Sequence, residues 1–477
     1  MTSPHVTSPR RITVAARLDR LPDSRYIRRL VILLSLGGCF EFYDLFFTAY
    51  IAPALYKSGI FTPTTKDFFG VGFASFVASL FAGLFVGTLL FSRMADRFGR
   101  RAIFSFSLLW YSAATLIMAF QSTATAINVW RFIAGIGIGV EFVTIDAYIS
   151  ELVPRQSRGR AFAFNEFLTF LAVPFVAFVS WLLVPHHLAG LDGWRWVVII
   201  GSLGSVFVWF IRRNIPESPR WLEQHGREEE ADRAMQEIEE RVSRETGKDL
   251  TPPVREPMEK PVGEPTPEPE EAPSSGGNWR DIFSKPYRRR TIVLSIFHLF
   301  QTLGFYGFAT WAPTFLLSKG VNVPKSLEYT FLMAIASPFG PLLGRTFADR
   351  IERKWQIAGM ATLIAIFGLL FSAQTTAAGV VFFGVLITLS SNWFSFAFHA
   401  YQSELYPTRI RAQAVGFVYS WSRFGAIFSS FVIAYILRLY GNLGVFTVIA
   451  LGMLVVVLVI GAWGPKTNRL RLEEIAQ

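Results

Sequence analysis

Two carboxylates, Glu41 and Asp44, lie inside the apolar and aromatic segment GGCFEFYDLFF, residues 37–47. Between Leu30 and Leu55 no Lys or Arg is present to neutralise them. A spacing of three residues places both acids on one face of a helix, and isolated charges are expensive to bury. The pattern therefore predicts a reversible change of charge, the binding and release of a proton, with Asp44 as the main group. The alternative is that both acids only brace neighbouring helices.

Two arginines lie in similar apolar surroundings, Arg131 in WRFIAGIGIG and Arg423 in SWSRFGAI. Arg423 has no acid at its depth in the second half of the chain, so an anionic ligand would supply the missing partner. The rings and amides expected near such a ligand are Tyr43, Tyr306, Trp311, Trp393, Tyr419, Gln301 and Asn392. A cationic group with aromatic walls suits a small, flat organic acid. Packing or interface anchoring is the competing explanation for the rings.

A charged pattern occurs twice, in GTLLFSRMADRFGRR ending at Arg101 and in GPLLGRTFADRIERK ending at Lys354. One constant offset aligns the two copies. The repeat predicts helix-end contacts and salt bridges between the halves, here called the inner gate, and not only a charge signal for orientation. Its predicted members are Asp96, Arg97, Arg100, Glu151, Arg158, Asp349, Arg350, Arg353, Glu404 and Arg411, and Glu166 is assigned to the same network.

Membrane helices are the elements that must position these residues. The 477 residues are 52% hydrophobic and 17% charged, against about 25% charged in a typical soluble domain. The apolar residues form blocks of about 20 or more, long enough to cross a bilayer as helices. The predicted fold class is an all-α membrane protein with twelve transmembrane helices in two six-helix halves. The predicted spans are residues 30–55, 68–92, 102–120, 126–150, 161–184, 194–212, 291–317, 328–348, 355–374, 376–402, 412–437 and 441–464.

Basic residues predict the orientation of these spans. The loops DRFGRR (96–101), PRQSRGR (154–160) and DRIERK (349–354) are rich in Lys and Arg, whereas the loops at the opposite ends are poor in them. The positive-inside rule then places both termini in the cytoplasm. The same rule explains the net charge of +11 without a nucleic acid partner.

Composition also divides the chain into domains. Within the linker, residues 218–245 predict a charged amphipathic helix capped by Ser218 before Pro219, and the Pro/Glu-rich residues 251–277 predict a disordered segment. The predicted organisation is a basic cytoplasmic extension (1–29), a first half (30–212), a cytoplasmic linker (213–290), a second half (291–464) and a cytoplasmic tail (465–477).

These motifs resemble those of the major facilitator superfamily over nearly the whole chain. The loop after span 2 resembles the signature G-x-L-A-D-R-x-G-R-R, with Ser92 and Met94 as departures. The stretch that begins at Arg131 resembles span 4 of sugar-porter-like members, and PESPRWL (216–222) resembles their exit from span 6. In proton-coupled sugar porters an Arg at this position pairs with an acid of span 1. The resemblance therefore implies that Arg131 pairs with Asp44.

A narrower resemblance concerns one branch of the superfamily. RGRAFAFNEF, YGFATWAPTFL (306–316) and SELYPTRIRAQAVGFVYSWSRFGAI (403–427) resemble nicotinate porters, aromatic-acid:proton symporters, organic ion transporters and synaptic-vesicle-protein relatives. Anion-transporting members carry a basic residue in span 11, which implies an anion-binding role for Arg423. Aromatic-acid symporters have D-G-x-D in span 1, whereas this chain has Glu41-Phe42-Tyr43-Asp44.

The sequence thus predicts a secondary active transporter that takes up a small organic acid with protons by alternating access. Protonation of Asp44 would release Arg131, and a substrate carboxylate would dock on Arg423. A sugar or sugar-acid porter, or an uncoupled facilitator, is the second hypothesis within transport. A membrane receptor or binding protein is the hypothesis from another class.

Further expectations follow for chemistry and location. The sequence holds no nucleophile elbow, Walker sequence or paired Cys, so an enzyme or an ATP-driven pump is not expected. His298 and His399 are interpreted as packing residues and not as a metal site. We expect no cofactor other than the coupling protons, partners limited to substrate and lipid bilayer, and a monomer. The expected location is the plasma membrane, the inner membrane in a Gram-negative source.

Overall fold

The computed structural model describes residues 13–62, 64–67, 70–204, 215–247, 250, 279–347, 350–406 and 408–467. Helices dominate the described part of the first half. They are α1 (Val14–Asp19), α2 (Arg25–Lys57), α3 (Gly72–Phe98), α4 (Arg100–Ala119), α5 (Ala124–Leu152), α6 (Arg155–Phe170), α7 (Ala172–Leu183) and α8 (Gly193–Ser202). Two small antiparallel hairpins join helices, β1 (Lys66–Asp67) with β2 (Gly70–Val71) and β3 (His187–Leu188) with β4 (Leu191–Asp192).

The linker and the second half are helical as well. The linker contains α9 (Pro219–Gln224) and α10 (Glu228–Thr246), and a short 3₁₀ helix (Trp279–Phe283) precedes the second half. The helices of the second half are α11 (Lys285–Ala309), α12 (Ala312–Ser318), α13 (Val323–Ala334), α14 (Phe339–Phe347), α15 (Arg353–Ala373), α16 (Ala377–Glu404) and α17 (Thr408–Trp463).

Each of the twelve predicted spans contains a described helix. Three of them are divided in two, and α17 runs through the last two predicted spans with a bend at Gly441, whose φ of +61° is left-handed. Within the described residues, eight helical stretches are long and apolar enough to cross a membrane. Twelve crossings and cytoplasmic termini therefore stay predictions.

Glycines let α5 pack closely on α3. A Cβ atom added at Gly135 would lie 2.5 Å from the backbone oxygen of Leu80, and one added at Gly139 would lie 2.5 Å from that of Leu84. Only small residues permit two helix backbones to approach so closely. These close contacts fix the helix that carries Arg131.

The linker differs from its predicted form. Ser218 Oγ accepts a hydrogen bond from the Trp221 backbone N–H at 3.1 Å, which confirms the predicted cap. The predicted single helix 218–245 is instead two helices, because the chain turns at Gly226 with φ +70°. The predicted disordered segment 251–277 lies outside the described residues.

The N-terminal extension contains a helix that the sequence did not predict. Val14 and Leu18 of α1 are buried, as are Ala231, Met235, Ile238 and Val242 of α10, and the two helices pack against each other. The apolar residues of α10 recur at helical spacing and form one face, as the predicted amphipathic helix implies. The α1 helix offers only Val14 and Leu18, which are too few to be recognised in the sequence.

Candidate functional site

Asp44 of α2 and Arg131 of α5 form an ion pair in which both side chains are 0% exposed. Arg131 donates from Nη1 to Asp44 Oδ1, and from Nη2 to the Asp44 backbone oxygen at 2.6 Å and to Thr48 Oγ1 at 2.5 Å. Thr115 Oγ1 donates to the other carboxylate oxygen, Asp44 Oδ2, at 2.6 Å. The pairing that the sequence implied is present, and both carboxylate oxygens of Asp44 are hydrogen-bonded.

Aromatic rings enclose this pair. The guanidinium carbon of Arg131 lies 4.4 Å from the ring centroid of Phe47 and 5.7 Å from that of Phe76. In such surroundings two opposite charges compensate each other, and neutralising one of them leaves the other buried without a partner. Protonation of Asp44 would therefore disturb the contact between α2 and α5. Its role in proton coupling stays a prediction.

A cavity of about 550 Å³ lies between the two halves. The first half contributes Glu41 to its wall, and the second half contributes Gln301, Tyr306 and Tyr419. Several rings complete the wall, namely Phe42, Phe162, Phe170, Phe305, Phe396 and Phe398. Glu41 thus faces the cavity, whereas Asp44, one helical turn further, is sealed behind it. The two acids that the sequence treated as a pair have different surroundings.

The cavity extends towards the end of the molecule that is predicted to be cytoplasmic. Gly159, Arg353 and Ser403, all near predicted cytoplasmic loops, belong to its wall. Towards the other end, aromatic contacts join the halves. Trp181 stacks on Phe331 with ring centroids 5.7 Å apart, and Phe73 meets Trp311 edge-on at 5.5 Å. The structure therefore has its halves closed on the predicted outer side.

Arg423 lies behind two tyrosines of the cavity wall. It is 3% exposed, and its Nη1 donates to Tyr306 Oη at 3.3 Å. Its guanidinium carbon lies 4.4 Å from the ring centroid of Tyr419. Arg423 itself is not on the wall, so its predicted direct docking of substrate is corrected to a position one side chain further back.

An acid of the other half acts on this guanidinium. The Glu41 carboxylate contributes a minor electrostatic attraction to Arg423, smaller than the contributions of Tyr419 and Tyr306. The sequence expectation concerned acids of the second half, and Glu41 belongs to the first. Sequence spacing gave no signal for this, because the two residues meet only when the halves assemble.

Four more predicted binding residues are engaged elsewhere and do not line this cavity. Tyr43 Oη donates to the Val197 backbone oxygen at 2.9 Å. Trp393 stacks on Phe347 and donates from Nε1 to Gln356 Oε1 at 3.0 Å. Trp311 packs on Phe73, and Asn392 Nδ2 donates to the Ser337 backbone oxygen at 3.0 Å beside a second cavity of about 40 Å³. The structure places these four side chains off the wall of this cavity, and their assignment to the substrate site stays a prediction.

The wall also includes other polar residues. From α6 come Asn165, Glu166 and Thr169, and from α16 come His399 and Gln402. Glu166, assigned from the sequence to the inner gate, faces the cavity instead. The spacing of Asn165 and Thr169, four residues apart on one helix face, was the available signal.

Two ion pairs occupy equivalent places in the inner gate. Arg100 Nε lies 3.1 Å from Glu151 Oε1, and Arg353 Nη2 lies 2.7 Å from Glu404 Oε1. The same number of residues separates Arg100 from Arg353 and Glu151 from Glu404, so the internal repeat includes both partners. Each pair joins helices of one half. Each of these acids lies on the helix that follows its arginine in the same half, and the predicted salt bridges between the halves stay a prediction.

Glu217 of the PESPRWL motif caps α4. Its Oε1 accepts hydrogen bonds from the backbone N–H groups of Arg100 at 3.0 Å and Arg101 at 3.2 Å. A carboxylate at a helix N-terminus interacts favourably with the helix dipole. Burial nevertheless raises the pKa of Glu217, and these hydrogen bonds oppose that shift. Glu217 ties the linker to the helix that begins with Arg100.

Of the other predicted gate residues, two have side chains that the structure describes. Arg158 is half-buried and Arg350 is exposed. The side chains of Asp96, Arg97 and Arg411, and the whole of Asp349, lie outside the described part of the chain. Their gate roles stay predictions.

A two-half helical bundle with charged residues buried beside a central cavity defines a membrane transporter. The family described as Sugar (and other) transporter matches residues 30–477. The chain belongs to this family of multi-pass membrane transporters, and it is not an enzyme.

Relatives and solved structures agree with this membership. The chain is 32% identical over 455 residues to the putative metabolite transport protein YyaJ of Bacillus subtilis, covering 95% of this chain and 96% of the relative. It is 29% identical to the niacin transporter NiaP of Acinetobacter baylyi, covering 97% and 99%. The xylose transporter XylE of E. coli, a major facilitator superfamily protein, matches with a TM-score of 0.69 at 19% identity, covering 93% and 99%. The predicted major facilitator fold is confirmed.

Proposed function

We propose that this protein takes up a small organic acid, aromatic or carboxylic, together with protons by alternating access. One observation carries the proposal. A buried Asp44–Arg131 pair stands one helical turn behind Glu41, and Glu41 shares a cavity with the tyrosines that cover Arg423. Acids and bases are thus placed so that binding a proton and binding an anion affect each other.

The coupling follows from charge balance. Without substrate, Glu41 compensates Arg423. When Glu41 is protonated, its negative charge is removed, and the Arg423 guanidinium attracts a substrate carboxylate to the tyrosines in front of it, because charges interact strongly in a low-dielectric site. A second proton, bound by Asp44 while Glu41 stays protonated, weakens the contact of Asp44 with Arg131 and frees α2 to move against α5. Deprotonation on the cytoplasmic side restores both pairs and expels the anion.

Several observations support an aromatic acid in particular. The wall is dominated by phenylalanine and tyrosine rings, which offer flat apolar contacts. A relative covering almost the same length is named for niacin, an aromatic acid. The protein would act in the plasma membrane, or in the inner membrane of a Gram-negative source, as a monomer without a cofactor or a nucleic acid partner.

A sugar or sugar acid is the second candidate. The amides of Asn165, Gln301 and Gln402 on the cavity wall favour it, since hydroxyl groups need such donors and acceptors. Uncoupled facilitation would need no role for the buried acids.

Uptake into proteoliposomes separates these functions. With an imposed inward proton gradient, accumulation of a radiolabelled aromatic acid above equilibrium supports the proposal. Accumulation of sugars alone supports the second candidate, equilibration without accumulation indicates a facilitator, and saturable binding without any uptake indicates a receptor.

A further inference from the structure

Three polar side chains form a hydrogen-bonded chain in the second half. His298 of α11 is fully buried, and its Nε2 lies 2.8 Å from Gln402 Oε1. Gln402 Nε2 lies 3.3 Å from His399 Nδ1. Gln402 and His399 belong to the cavity wall, whereas His298 is not part of it. The chain therefore runs from the interior of the half to the surface of the cavity.

The order of hydrogen bonds fixes the protons on both rings. A glutamine carbonyl oxygen can only accept, so His298 carries its proton on Nε2, and a glutamine amide nitrogen can only donate, so His399 Nδ1 presents a lone pair. A neutral imidazole has a single N–H, which in His399 must then be on Nε2. A second proton on Nδ1 would face the Gln402 N–H, donor against donor. Gln402 thus keeps the His399 ring neutral, with its single N–H on Nε2.

Ring contacts fix the position of that donor. The His399 ring stacks on Phe398 with centroids 4.3 Å apart and meets Tyr419 edge-on at 5.3 Å. Tyr419 is also the ring over which the Arg423 guanidinium lies. Among the described residues, none accepts a hydrogen bond from His399 Nε2. His399 is half-buried on the cavity wall, so a bound molecule with an acceptor at this place gains a hydrogen bond from Nε2 in exchange for one to water.

We propose that His399 Nε2–H donates a hydrogen bond to a neutral acceptor on the ring of the transported acid, such as a ring nitrogen. This inference rests on the proposed function. The carboxylate belongs near Arg423, which is charged, and the uncharged imidazole N–H suits an uncharged acceptor. Because the Arg423 guanidinium and the His399 ring both pack on Tyr419, one flat molecule against that ring lies beside His399 and within one side chain of Arg423. The preferred substrates are therefore heteroaromatic acids, and a plain benzene ring leaves the donor unsatisfied.

Pyridine-3-carboxylate and benzoate test this, because they differ only in replacing a ring nitrogen by C–H. The measurement is the competition of each acid with the proton-driven uptake of a radiolabelled aromatic acid into proteoliposomes. Wild type should bind pyridine-3-carboxylate about tenfold more tightly than benzoate, the worth of one hydrogen bond of about 1.4 kcal/mol. His399→Phe keeps the ring contacts and should abolish this preference while benzoate still competes. Gln402→Met, which lets His399 adopt either tautomer, should reduce the preference partway.

Thr362→Ala is the control, since the Thr362 hydroxyl donates to the Ala358 backbone oxygen of its own helix and lies off the cavity wall, and it should keep the preference. Nitrogen-15 NMR of histidine-labelled wild type, assigned by loss of the signal in His399→Phe, should show the Nε2-protonated tautomer. Equal affinity of wild type for both acids, an equal change for both in His399→Phe, or an Nδ1-protonated tautomer would overturn the inference. Those outcomes leave proton-driven uptake intact, whereas wild type that accumulates neither acid overturns the proposed function itself.

Discussion

Asp44 and Arg131 form an ion pair with no exposed surface, and Glu41, one helical turn away, faces the central cavity. The two acids can therefore bind protons in different roles. Glu41 meets water and substrate in the cavity, whereas Asp44 holds α2 and α5 together. Glu41 is placed to sense the charge of the ligand through Arg423. Asp44 is placed to convert protonation into helix movement.

Glu41→Gln should uncouple acid binding from pH. The variant removes the Glu41 charge near Arg423 at every pH. Binding of a substrate carboxylate then no longer depends on protonation of Glu41. Calorimetric titration with the acid should show affinity that varies with pH in wild type and hardly varies in the variant. Glu166→Gln removes the second carboxylate on the cavity wall, which belongs to α6, and should keep the wild-type pH dependence of binding. An unchanged pH profile in Glu41→Gln would assign the sensing to another group.

Arg423→Ala should weaken binding of the acid by about 2–5 kcal/mol, the range for removing one partner of a buried charge pair. An uncharged amide analogue should lose much less. Arg423→Lys should retain part of the affinity, because an ammonium group keeps the charge but lacks the planar fork. Tyr306→Phe removes only the hydroxyl that accepts from Arg423 and should have a smaller effect. Equal losses for acid and amide would make Arg423 a structural residue.

Arg353→Gln should slow uptake severalfold while substrate binding survives. The variant breaks the pair with Glu404 at the mouth of the cavity, so the helix ends that must close there are less firmly held. Labelling of a cysteine placed at the exposed Gly159 should increase in the absence of substrate. Arg100→Gln should act in the same direction through Glu151, since the two pairs are equivalent. If neither variant alters labelling or rate, the repeated pairs do not contribute to gating.

Glu239→Gln should destabilise the packing of α1 on α10. Burial opposes ionisation of Glu239, but hydrogen bonds from Arg17 and Arg20 outweigh it, so the pKa of Glu239 lies below its ordinary value of 4.5. This contribution is present at neutral pH and is lost as pH falls through the depressed pKa. Partial exposure limits the loss to about 1 kcal/mol.

Thermal unfolding of purified protein at neutral and acidic pH measures this contribution. The variant should unfold at a lower temperature at neutral pH, and the difference from wild type should shrink in acid. Glu229→Gln, an exposed pair with Arg233 on the same helix, should change little at either pH. A difference that grows in acid would contradict the assigned charge state of Glu239.

Residues with local constraints were predictable from sequence. The pairing of Asp44 with Arg131 followed from motif positions, and the repeat placed Arg100 and Arg353 correctly at equivalent helix starts. The spans followed from hydropathy, because the bilayer fixes helix length. The lining of the cavity was less predictable. An aromatic ring in a membrane helix suits lipid, a neighbouring helix and a cavity equally well, so Trp393 could not be told from Tyr419.

Contacts between distant segments were not predictable where no motif indicated them. Glu41 and Arg423 belong to different halves, and no spacing rule relates them. The α1 helix is short and is stabilised by α10, which comes much later in the chain, so its own sequence carries little signal. Gln402 was unremarkable until α11 placed His298 beside it.

Proton movement in the Asp44→Asn variant tests the central claim most directly. Wild-type and variant proteoliposomes are loaded with a pH-sensitive dye, and the acid substrate is added outside while radiolabelled substrate is followed in parallel. Wild type should acidify the lumen as substrate enters. The variant should neither move protons nor accumulate substrate against its gradient, yet should still exchange labelled for unlabelled substrate. Accumulation with proton influx at the wild-type rate in Asp44→Asn would contradict the account, because the buried pair would then not be the coupling element.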